Sequence, residues 1–73
     1  MVLQAIIFSR KKWDEPKSTE WLKEHSYSPI KEAHLTKGFV RYRLAEPNED
    51  KFHYRTKTLP DKTIKYIMGY PQF

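Results

Sequence analysis

The chain has 73 residues, 38% of them apolar and 32% charged, which supports one domain with a thin core. It contains no cysteine, which excludes disulfide staples and thiolate metal sites and fits a reducing, intracellular compartment. A net charge of +5 excludes an acidic mimic of DNA and favours an anionic partner, although the same excess also serves solubility.

The first apolar run, "VLQAIIFS", is rich in β-branched and aromatic residues and predicts a strand over residues 2–9. It is too short to span a membrane, and no basic stretch precedes it as in a signal peptide. The basic link "RKKWDEP" follows, with Asp14 placed to cap a helix and Pro16 in the first turn, where a missing N–H costs little. A helix is expected from Glu15 to His25, with Ser18, Trp21, Leu22 and His25 on one face and Lys17, Glu20, Lys23 and Glu24 on the others. The segment "SYSP" ends it.

A second strand is expected over 30–36, then a turn at Lys37-Gly38 in which Gly38 can take a positive φ. "FVRYRLA" reads as a third strand, the acidic "EPNEDK" as a solvated hairpin turn, and "FHYRTKTL" as a fourth strand. Pro60-Asp61-Lys62 makes the next reversal, and "TIKYIMGY" closes the series. The expected architecture is α+β, a single helix packed on one face of a mostly antiparallel sheet of four to five strands in the order β-α-β-β-β-β. Short links after the helix suggest a meander.

Side chains alternate across a strand. Taken as consecutive neighbours, the strands would turn Val40, Tyr42, Leu44, Phe52, Tyr54, Ile64, Tyr66, Met68 and Tyr70 toward the helix. Phe39, Arg41, Arg43, His53, Arg55, Lys57 and Lys65 would share the uncovered side. Like charges on adjacent strands repel, so a sheet shaped by stability alone would mix signs. Here Asp14, Glu15, Glu20 and Glu24 fall on the helix and Glu46, Glu49 and Asp50 in a loop. Cations interleaved with rings suit phosphates and bases, so the expected function is a non-enzymatic module that contacts nucleic acid, DNA or RNA, through this face. Arg10, Lys11 and Lys12 after the first strand would add a phosphate clamp if that loop borders the basic face.

A protein-interaction module, self-associating or bound to another protein, is the alternative. Exposed rings such as Phe39 and Phe73 and an open sheet edge would seat the partner. No cofactor is expected. His25, His34 and His53 lack zinc-ligand spacing, and "EPNEDK" lacks the ligand pattern of a calcium loop. Enzymatic activity is not expected either. The one reaction weighed is a small nuclease, with His53 as base, Arg55 as phosphate-stabilising cation and Glu32 on a neighbouring strand.

Together, "WLKEHSYSPIK", "VRYRLAEP", "FHYRTKTL" and "IKYIMGY" resemble a short module from uncharacterised open reading frames of phages and large DNA viruses. The resemblance implies a compact α+β fold and a viral setting, hence the cytoplasm or nucleus of a host cell. It assigns no functional residues.

Overall fold

The computed structural model describes residues 2–71, and its elements follow from local chemistry. Asp14 is extended, with φ −122°, and its carboxylate accepts the Lys17 N–H at 2.9 Å, satisfying one of the orphan donors of helix α1, Glu15–Glu24. At the other end Ser26 takes φ 62°, and two bonds close the helix: Ser26 N to Lys23 O and Tyr27 N to Leu22 O. This is a Schellman cap with serine where glycine is usual.

The strands are β1 (Val2–Ser9), β2 (His34–Leu35), β3 (Phe39–Arg43), β4 (Phe52–Thr58) and β5 (Ile64–Pro71). They form one sheet in the order β2-β3-β1-β5-β4, with every neighbouring pair antiparallel. The sheet is therefore not a meander. β2–β3 and β4–β5 are hairpins, but β1 lies between them, and residues 44–51 carry the chain from β3 past β1 and β5 to the far edge. "EPNEDK" belongs to that crossover and is not a hairpin turn.

Gln4 explains how the crossover is held. An extra residue in β1 shifts the register against β5 between Leu3 and Ala5, which is the signature of a bulge. Gln4 is buried there, its Nε2 donates to Ala45 O at 3.1 Å, and its own carbonyl accepts from Leu44 N and Ala45 N. A polar residue inside an apolar strand thus ties the crossover to the sheet.

The core lies between α1 and the sheet: Ile6 and Phe8 from β1, Val40 and Tyr42 from β3, Ile64 from β5, and Leu22 from the helix. The Phe8 ring meets Trp13, Trp21 and Tyr42 with centroids 5.1, 5.4 and 5.7 Å away, in tilted or edge-to-face arrangements. Tyr42 and Ser18 supply the polar link between the layers. Ser18 Oγ donates to Asp14 O at 2.7 Å and lies 2.8 Å from the Tyr42 hydroxyl, which also meets Thr19 Oγ1 at 3.0 Å. Burial and the neighbouring Tyr27 hydroxyl push the Tyr66 phenol up to about 12.

One expectation about turns needs correction, while the reversal at Pro60-Asp61-Lys62 stands. Gly38 does not adopt a positive φ; the β2–β3 reversal is held by Thr36 Oγ1, which accepts from Gly38 N and Phe39 N. The left-handed position in the β4–β5 turn belongs to Lys62, at φ 63°, beside Asp61, whose Oδ1 accepts Thr63 N at 3.0 Å. β2 is also shorter than the expected 30–36. Phe73 lies outside the described residues. Among the described residues no helix is long and apolar enough to cross a membrane.

Candidate nucleic-acid interface

None of the strand residues is Asp or Glu, while the strands carry Arg41, Arg43, Arg55, Lys57 and Lys65. Which of these act together depends on register. Val40 and Tyr42 of β3 are buried under the helix, so Phe39, Arg41 and Arg43 stand on the uncovered face. Ile7 of β1 pairs with Arg41 on one side and Lys65 on the other, and His34 of β2 pairs with Arg41. His34, Arg41, Ile7 and Lys65 therefore form one row across the sheet.

β4 breaks the expected pattern. It pairs only with β5, and Arg55 stands opposite Met68, Lys57 opposite Tyr66 and His53 opposite Tyr70. Those three β5 residues face the helix side, because Ile64 of the same parity lies in the core. Arg55, Lys57 and His53 consequently point away from Arg41 and Arg43. The expectation that all of them share the open face is wrong. In exchange, Phe52 and Tyr54 join it.

The reason is the glycine across the strand. Tyr54 pairs with Gly69 on the uncovered face, and a Cβ at Gly69 would lie 2.8 Å from Tyr54 Cε1. The ring occupies the space that glycine leaves, and its hydroxyl accepts the Asn48 N–H of the crossover at 2.7 Å. Tyr54 thus packs on glycine and the crossover rather than on the helix. No β4 residue is buried, so the alternation of "FHYRTKT" did not report which side was inside. Gly69 opposite an aromatic was the signal available in the sequence.

The face so assembled carries Phe39, Phe52 and Tyr54, all half-buried, with Arg41, Arg43 and Lys65 and an aliphatic centre of Ile7 and Ile67. The Phe52 and Tyr54 rings lie 6.4 Å apart. On the helix side, beyond the reach of α1, His53, Arg55, Lys57, Met68 and Tyr70 line a separate shallow groove in which the His53 ring stacks on Tyr70 at 5.7 Å.

Arg10 follows β1 next to the β2–β3 turn. Its N–H bonds to Gly38 O and its Nη1 donates to Thr36 O at 3.0 Å, so it borders Phe39. Lys11 is exposed, and Lys12 reaches Asp61 at 4.0 Å, too long and too exposed to hold it. The nuclease grouping does not assemble. Glu32 lies beside β2 and His53 on β4, at opposite edges of the sheet, about 19 Å apart at one strand spacing per step.

Arg41 is the unusual member. It is half-buried, its Nε is cut off from water, and its side chain makes no hydrogen bond or ion pair among the described residues. An unsatisfied buried donor costs about 1–3 kcal/mol. Arg43, by contrast, shares Glu46 with Lys31, at 3.8 and 3.2 Å. No family model matches the chain, and no curated protein or solved structure matches it.

Proposed function

We propose that the chain is a non-enzymatic binding module that seats single-stranded nucleic acid on its uncovered sheet face. One observation carries the reading: strands that contain no carboxylate bring Arg41, Arg43 and Lys65 to the same face as the rings of Phe39, Phe52 and Tyr54. Cations hold phosphates, and flat side chains accept unstacked bases. A duplex keeps its bases stacked inside, so an aromatic-bearing plane suits a single strand better.

Fluorescence anisotropy with a labelled single-stranded oligonucleotide tests it. Arg41→Glu with Arg43→Glu should abolish binding, while Arg55→Glu with Lys57→Glu, on the opposite face, should weaken it far less. Affinity should fall with salt at a log–log slope of about −0.7 per phosphate contacted. Equal damage from the two pairs, or no binding at low salt, overturns the reading.

A second reading, docking of a protein, has its own support in the aliphatic centre of the face. Val2 is 37% exposed, and Ile7 and Ile67 are half-buried; bases have no need of such residues, whereas protein interfaces do. A dimer in sedimentation without nucleic acid, lost on Ile67→Glu, would favour it.

A further inference from the structure

The bow in the chain before β2 leaves a gap. Ile30 N donates to Arg43 O at 2.9 Å, and the next cross-strand pair is His34 with Arg41. Two steps of β3 are therefore opposed by four steps of the facing segment, which arches: Lys31 and Glu32 are exposed, while Ala33 packs against the core. Under the arch lies a pocket of about 180 Å³ lined by Lys31, Glu32, His34, Arg41 and Arg43. It lies below the usual range for whole small-molecule sites, about 300–1,000 Å³, and suits a single charged group.

We propose that this pocket binds one phosphate group, with the Arg41 guanidinium as its principal donor. Arg41 lines the pocket, and its side chain has no partner among the described residues although it is half-buried and its Nε is cut off from water; a guanidinium in that condition offers unused donors to an oxyanion. His34 stands next to it in register, and Lys31 and Arg43 divide the single carboxylate of Glu46, leaving cationic charge over. Glu32 is the opposing member of the lining and lowers the affinity. Resting on the single-strand reading above, the phosphate is the terminal monoester of the bound strand. An internal phosphodiester continues on both sides and lies along a surface; a terminal one enters a pocket end-on, at the sheet margin where β2 stands.

The test compares oligonucleotides of one sequence carrying a 5′-phosphate, a 3′-phosphate or only hydroxyl ends, with inorganic phosphate as the separate arm. Binding is read by anisotropy, and the Arg41 Nε–H resonance by NMR. One of the phosphorylated strands should bind at least about tenfold tighter than the hydroxyl strand, as expected for a charge-assisted fork. Arg41→Lys, which keeps the charge and loses the fork, should erase that preference, and Glu32→Gln should enlarge it. If inorganic phosphate shifts Arg41 while no oligonucleotide binds, the pocket stands and the single-strand reading falls. If all three strands bind equally and phosphate leaves the Arg41 resonance unmoved, the pocket proposal is overturned.

Discussion

Gly69 shows how a missing methyl decides which face a strand presents. A Cβ there would run into the Tyr54 ring, and that ring is fixed at its far end by the bond from Asn48 N. Gly69→Ala should cost about 1–3 kcal/mol in urea unfolding, because the ring cannot yield without losing that bond. Tyr66 gives a second residue-scale expectation. Its neutral form is favoured in the fold, so stability tied to it is intact below the ordinary value of 10.0 and is lost as pH rises toward about 12. Tyr66→Phe should remove that alkaline loss, and the component of the phenolate absorbance that rises near pH 12 should vanish from a spectrophotometric titration.

Among the elements, α1 was readable in full because its signals are local: Asp14 as cap, Pro16 early, and Ser18, Trp21 and Leu22 one turn apart. Its C-terminus carries an improvable position. Ser26 at φ 62° bears a penalty that glycine escapes, so Ser26→Gly should raise stability by about 0.5–1 kcal/mol, seen as a higher urea midpoint at unchanged slope. β1 and β5 were also legible, since each is apolar and buried on at least one side. β4 was placed correctly in sequence and wrongly in orientation. Its facing comes from pairing with β5 alone, a long-range choice that the pattern of "FHYRTKT" does not encode. Three of the seven residues expected on the open face are misplaced for the same reason: Arg41, Arg43, Lys65 and Phe39 do share a face, while Arg55, Lys57 and His53 stand on the other.

For the molecule as a whole, β1 is the hub. It is the central strand, hydrogen-bonded on both sides, and it supplies the buried Ile6 and Phe8. Amide exchange should therefore be slowest in β1, approaching the global stability of about 5–10 kcal/mol, and fast in the edge strands β2 and β4. Uniform protection across all strands would contradict this. The placement has a further effect during synthesis. Ile6 pairs with Tyr66, which leaves the ribosome roughly 3–12 s later at ordinary elongation rates. Throughout that interval "VLQAIIFS" waits with at least one flank open, so the nascent chain must be shielded from its neighbours until translation delivers the last strand.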